Sequence, residues 1–351
     1  MAWRERSATV ATSVVSGLLV AAVVKASNSG IADGVVILWF ALATVGAGVL
    51  AWVTGVLIRR RRRSSRVFLM TSAFSQKYYL ADLVQQVHKF LDRDGLDMVL
   101  KVPAVDYDAI AQSHNLDRIA ARSRDYLGGI IIAAEMKRLH KDLVRFCHRS
   151  ALPVVFTDLE PFDGAEDYPE NAAFVGYDTG QLGEMAGRWL LPRLKNIDRP
   201  NVLVIASADH EARQQRCMEV LKNDRPEINI PPPKQCAFSR SLAHDAVRAH
   251  LGDIGPTQRL DAIFCTNDEM ALGAVDALTP STAATQDTVV IGIDGTTEAK
   301  ALIDSRKSPL RATIVQDAER LAGNVVGVLQ KLRDGDKVPR RTTLPARVYE
   351  A

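Results

Sequence analysis

The sequence predicts an α/β fold with a mostly parallel sheet and helices on both faces, preceded by two transmembrane helices, and three observations carry that expectation. From Val67 onward, short apolar runs of strand length alternate with amphipathic stretches of helix length, the pattern of doubly wound sheets. Several of the late apolar runs end in a single polar side chain. The first 66 residues break the pattern with two long uncharged segments and a run of arginines.

Residues 8–24 form an apolar stretch of 17 without a charge, and residues 35–58 one of 24 that includes Trp39 and Trp52. A membrane span takes about 20 apolar residues, with a range of about 17–25, so residues 1–58 read as a transmembrane hairpin. Gly46, Gly48 and Gly55 are poor in a soluble helix but acceptable in a membrane one. A rival reading of the first stretch is a secretory signal peptide, with Arg4 and Arg6 before the apolar centre, although Lys25 spoils the cleavage site. The linker 59–66 opens with five consecutive arginines. Short flanks rich in Lys and Arg stay in the cytoplasm, which puts Met1 and the large domain on the inner side. No cysteine precedes Cys147, which excludes a lipid anchor, and the four cysteines lack metal-ligand spacing and read as buried thiols.

The charge follows the same division. Formal net charge is +3, but the first 66 residues carry +7 and leave −4 for the rest. A mildly acidic domain with no helix-turn-helix ahead of it argues against nucleic acid as a partner.

Strands are predicted at 67–71, 98–102, 129–133, 153–157, 172–176, 201–206, 235–238 and 261–265. The helix after the first carries Leu80, Leu83, Val84, Val87, Phe90 and Leu91 on one face. No phosphate loop, nucleophile elbow or metal-binding His pair lies among them. The most informative stretch is 264–278: an apolar run stops at Thr266-Asn267-Asp268-Glu269, where Asn267 suits an N-cap and the two acids suit a first helical turn. The pattern recurs at 289–296, ending in Asp294, and at 311–317, ending in Gln316. Asn267, Asp294 and Gln316 would then share the carboxyl edge of one sheet, where open α/β sheets take small ligands. Two amides and a carboxylate offer donors and acceptors to adjacent hydroxyls.

The segments 264–278, 291–296 and 312–316 resemble the second half of the ribose-type periplasmic sugar-binding proteins, whose fold is shared by lac-repressor-like ligand domains. The resemblance runs in register over about 67–350. It implies two Rossmann-like lobes with parallel sheets and a hinge, lobe 1 from 67 to 175 plus 317–340 and lobe 2 from 176 to 316 plus 341–351, joined by three crossovers. The run 342–349 would be a late edge strand. Tyr78 and Tyr79 match a family pair of aromatics and Phe238 the aromatic of the other lobe, which together would sandwich a sugar ring. Asp158 matches an acid that binds hydroxyls, and Arg216 is chosen for the family's ligand arginine over its competitor Arg213. Leu159 stands where the ribose binders usually have Arg, and Ala133 where they often have Asn, so ribose itself is not the expected ligand.

The ligand-binding set is therefore Tyr78, Tyr79, Asp158, Arg216, Phe238, Asn267, Asp294 and Gln316, with no metal, cofactor or catalytic residue. Asp158 and Asp294 could be imagined as an acid and base pair, but they serve better as hydroxyl acceptors, so an enzyme is not expected. The expected protein is a membrane-anchored solute-binding protein that takes a sugar or polyol between its lobes for ABC-type uptake, with a transporter permease as partner. The alternative is a membrane-tethered sensor that signals to a partner protein by cleft closure. The two differ in location, because delivery to an importer needs the domain outside, as in the family's transport members, and the arginine run argues inside.

Overall fold

A computed structural model describes residues 65–351 apart from 75–77, 163, 256–257, 280–281 and 283, and of the N-terminal stretch only Gly46. Apart from Gly46, the expected transmembrane segments 8–24 and 35–58 and the arginine run of the linker lie outside the described residues. Among the described residues no helix is long and apolar enough to cross a membrane.

The chain alternates as the apolar periodicity requires. Lobe 1 begins with β1 (Arg66–Met70), α1 (Tyr78–Arg93), β2 (Asp97–Lys101), α2 (Ala109–Ala121), β3 (Gly128–Ile131), α3 (Met136–Ser150), β4 (Val154–Phe156) and β5 (Ala172–Tyr177). Lobe 2 follows with α4 (Thr179–Leu194), β6 (Val202–Ala206), α5 (Glu211–Asp224), β7 (Lys234–Gln235), α6 (Arg240–Ile254), β8 (Ala262–Cys265), α7 (Asp268–Ala277), β9 (Val289–Asp294), α8 (Thr297–Ser305) and β10 (Leu310–Val315). The chain then returns through α9 (Ala318–Asp334), which packs on α1, and ends in β11 (Arg341–Leu344) and β12 (Arg347–Glu350).

Two six-stranded sheets result, in the orders β11-β5-β4-β3-β1-β2 and β12-β10-β9-β8-β6-β7. All pairings are parallel except β12 with β10. Parallel strands covered on both faces are apolar on both. In β1, Val67 and Leu69 enter one core while Phe68 and Met70 enter another; in β6, Leu203 and Ile205 join Ile263 and Cys265 of β8. The helices on the two faces are held by small residues where they approach closely. A Cβ on Gly183 of α4 would lie 2.0 Å from the Arg213 carbonyl oxygen of α5, so only glycine lets these helices meet. The four cysteines are buried and unbridged.

Two expectations need correction. The C-terminal run is not one edge strand of lobe 2: Arg341–Leu344 pairs with β5 in the first sheet, and only Arg347–Glu350 joins β10 in the second. Pro345-Ala346 carries the chain between the lobes. The strand expected at 235–238 stops at Gln235, because Ala237 (φ 46°) and Phe238 (φ 64°) take left-handed backbone and turn the chain toward α6.

Candidate functional site

The carboxyl ends of β8, β9 and β10 and the loop after β4 bring together the polar groups of a single cleft. Asn267 caps α7, its Oδ1 accepting from the Met270 backbone N–H at 3.0 Å, while its buried amide nitrogen has no protein acceptor. Capping therefore uses only half of the side chain and leaves a donor for another molecule. Asp294, Gln316 and Asp158 are each at most 5% exposed. Asp158 (φ 69°) and Asp294 (φ 133°) both have positive φ, a backbone cost that concentrates at functional positions.

Arg213 joins them. This fully buried side chain of α5 donates from Nη1 to the Thr266 carbonyl at 2.9 Å and from Nη2 to Gln316 Oε1 at 2.8 Å, and Nη1 lies 3.8 Å from Asp294 Oδ1. Burial pushes its pKa down, against the pull of Asp294, Asp158, Tyr79 and Asp268. The same carboxylates mark the neighbourhood of Tyr79. Burial raises its phenol most, then Asp158 and Asp294, while a hydrogen bond with Gln316 opposes them. Asp158 of lobe 1 and Asp294 of lobe 2 therefore act on one another's surroundings across the cleft.

A second layer fixes Asp294. Asp268 Oδ2 accepts from Thr296 N at 2.7 Å and from Thr296 Oγ1 at 3.1 Å, while Oδ1 accepts from Thr313 Oγ1 at 2.7 Å. Thr313 Oγ1 accepts in turn from Gly295 N at 3.1 Å. The carboxylate thus ties together the ends of three strands around the positive-φ pair Asp294-Gly295. Gly292 makes room for it, since a Cβ there would meet Asp268 Oδ1 at 2.3 Å. Burial outweighs these donors and raises the Asp268 pKa to about 6. Neighbouring Glu269 rises to about 7 through burial, then the repulsion of Glu298.

The structure gathers Tyr79, Asp158, Phe238, Asn267, Asp294 and Gln316, sets Tyr78 at the rim and leaves out Arg216. Arg216 is not in the cleft: its side chain is 48% exposed and pairs with Glu184 at 3.1 Å and Glu219 at 2.7 Å on the outside of α5. The buried stripe of that helix is Arg213, Cys217 and Leu221, a spacing of four that could have singled out Arg213. Tyr78 is 67% exposed, on the rim of a recess of about 840 Å³ whose wall also includes Tyr79, Glu269, Asp294 and Gln316. The ring facing Phe238 is Tyr107, from the loop after β2, stacked at 4.8 Å and 27°. It belongs to no periodic segment, so sequence reasoning missed it. His210 also meets Phe238 edge-on, at 4.7 Å.

Such an arrangement offers acceptors at Asp158 and Asp294, donors at Asn267 and Arg213, and ring faces at Tyr79, Tyr107 and Phe238. It suits reversible binding of a small molecule with several polar groups.

Known proteins share this architecture. The profile of the periplasmic binding protein domain matches residues 67–337. Two curated relatives, from Rhizobium meliloti and Haemophilus influenzae, are each 26% identical over 200 and 207 residues, which is 56% and 58% of this chain. The second is a ribose import binding protein. This chain spans only 62% and 66% of their lengths. Among solved structures, a periplasmic solute-binding protein of an Actinobacillus succinogenes ABC transporter, with bound D-allose, superposes with TM-score 0.72 at 17% identity, over 81% of this chain and 97% of that one. A Bacillus halodurans solute-binding protein with bound myo-inositol gives 0.70 at 19% identity, over 82% and 94%. With its family profile covering both lobes, the chain belongs to the periplasmic binding protein family.

Proposed function

We propose that the protein is a membrane-anchored solute-binding protein that holds a sugar or related polyol between its lobes and serves ABC-type sugar uptake. The observation that carries the reading is the convergence of Asp158 from lobe 1 with Asn267, Asp294, Gln316 and Arg213 from lobe 2 on one buried cleft. Charged acceptors give hydrogen bonds of about 1.5–3 kcal/mol each, and ring faces such as that of Tyr79 suit the C–H face of a sugar. The ribose, allose and inositol of the relatives' names and bound molecules are ligands of this kind. Binding draws the lobes together by its differential affinity for the closed state, and the partner is a transporter permease that reads that state. Two uncharged segments, 8–24 and 35–58, supply the anchor.

One observation favours a second reading. The five arginines at 59–63 follow the second apolar segment directly, and such flanks stay in the cytoplasm. A domain on that side would be a tethered sensor that signals by cleft closure to a protein partner.

Thermal-shift screening of the full-length chain against sugars and polyols tests the binding reading. A ligand at a hundredfold excess over its dissociation constant is expected to stabilise by about 2.7 kcal/mol, and Asp294→Ala is expected to abolish the shift while the unliganded variant stays folded. A shift that survives Asp294→Ala rules out this cleft. A reporter fused after Ala351 separates the two locations: activity only outside the cytoplasm supports uptake, and activity only inside supports the sensor.

A further inference from the structure

The cleft does not end at the residues that gather around Asp294. The recess of about 840 Å³ continues from it, since Tyr79, Asp294 and Gln316 belong to the wall of both. The wall then extends along α1 of lobe 1 through Tyr78, Asp82 and Gln86, and to the first turns of α8 and α9 through Glu298 and Glu319. Clefts of about 300–1,000 Å³ take drug-sized ligands. This recess lies near the top of that range and is larger than one sugar ring needs.

Its wall also holds polar groups that the cleft does not use. Two buried acceptors there have no hydrogen-bond partner among the described residues: Glu269 Oε1 from lobe 2 and Gln86 Oε1 from lobe 1. Glu269 is only 6% exposed, and Arg240, which attracts it, gives its own donors to Asp276 and Glu298. The Gln86 amide nitrogen donates to Asp82 at 3.2 Å, which leaves its oxygen as the open group. A buried acceptor left unmet is costly, and a hydroxyl supplies the donor that each lacks. Tyr78 adds a ring face, 67% exposed in the recess, next in the chain to Tyr79, which is 5% exposed in the cleft. Aromatic faces of this kind suit the apolar side of a sugar ring, and here two follow one another.

We propose that the ligand of this site is a disaccharide or glycosylated polyol, with one unit in the cleft at Asp158, Asn267 and Asp294 and a second in the recess, stacked on Tyr78 and donating hydroxyls to Glu269 and Gln86. This rests on the reading of the cleft as a polyol site and names the class of ligand. A single ring satisfies the cleft and leaves both outer acceptors unmet.

The test is calorimetric titration of the full-length chain with matched sets: D-glucose with maltose, trehalose and cellobiose, D-galactose with melibiose and lactose, and myo-inositol with galactinol. At least one two-unit ligand is expected to bind tenfold or more tightly than its single-unit counterpart. Tyr78→Ala, at an exposed position, and Glu269→Ala are each expected to lower that ratio toward one. A merely structural role would weaken both members of a pair together and leave the ratio as it was. A ratio below tenfold in every set overturns the proposal and leaves the polyol site standing, and so does a preference that either variant leaves intact. If no member of any set binds, the polyol reading falls and this proposal with it.

Discussion

Lobe 2 brings to the cleft a polar network that is tied together before any ligand arrives and keeps the Asn267 amide donor open, whereas lobe 1 brings rings, apolar surface and the Asp158 carboxylate. On the lobe 2 side, Asp268 ties Thr296 and Thr313 together, and Arg213 bridges Thr266 and Gln316. On the lobe 1 side, Asp158 raises the phenols of Tyr79 and Tyr107, and the buried Leu159 follows it in the chain. Hydrogen-bond donors and acceptors that are fixed in advance spend less of the binding energy on ordering. On the proposed function, lobe 2 would be the half that recognises hydroxyls and lobe 1 the half that closes over them.

The contrast predicts its own hierarchy of damage. Removing the guanidinium that holds the lobe 2 network is expected to cost most: Arg213→Ala leaves buried carboxylates uncompensated, about 3–5 kcal/mol in denaturant unfolding. A loss under 1 kcal/mol would mean the network is not what secures lobe 2. Next is Gly292→Ala, which drives a methyl group against Asp268 and is expected to destabilise by about 1–3 kcal/mol, weakening polyol binding as Asp294 shifts.

Smaller still is the effect of pH through Glu269, whose pKa rises from 4.5 to about 7 on burial. The native state keeps that proton to higher pH than the unfolded chain does, so stability falls as pH rises from about 4.5 toward 7 and levels off above. Glu269→Gln, neutral throughout, is expected to match the parent near pH 4 and to exceed it by about 1–2 kcal/mol at pH 8. Equal stabilities at pH 8 would contradict the assignment. Arg216→Ala, which breaks only exposed pairs with Glu184 and Glu219, is expected to change stability by less than about 0.5 kcal/mol and to leave ligand affinity unchanged.

What could be read from sequence follows the same line between the lobes. The lobe 2 wall was legible because each strand end announces itself: Asn267 before two acids, Asp294 before glycine and Gln316 after an apolar run. Strand periodicity and helix capping are local, so the sheet edge could be drawn without knowing any contact. Tyr107 was not legible, because it lies in a loop and acquires meaning only by stacking on Phe238 from 131 residues away. The family resemblance favours Arg216, with Arg213 as its competitor because the local spacing departs by a residue, and the stripe shared with Cys217 and Leu221 points to Arg213. The split of the final run between two sheets was hidden for a similar reason. Nothing in Arg341–Leu344 or Arg347–Glu350 says which sheet edge each will pair with.

The central claim is that both lobes grip one ligand, and affinity measured on one conservative variant from each lobe addresses it most directly. With whichever sugar or polyol stabilises the parent chain, Asp158→Asn and Asp294→Asn are each expected to weaken binding at least tenfold in calorimetric titration. Parent-like affinity in either variant would contradict a site shared between the two lobes.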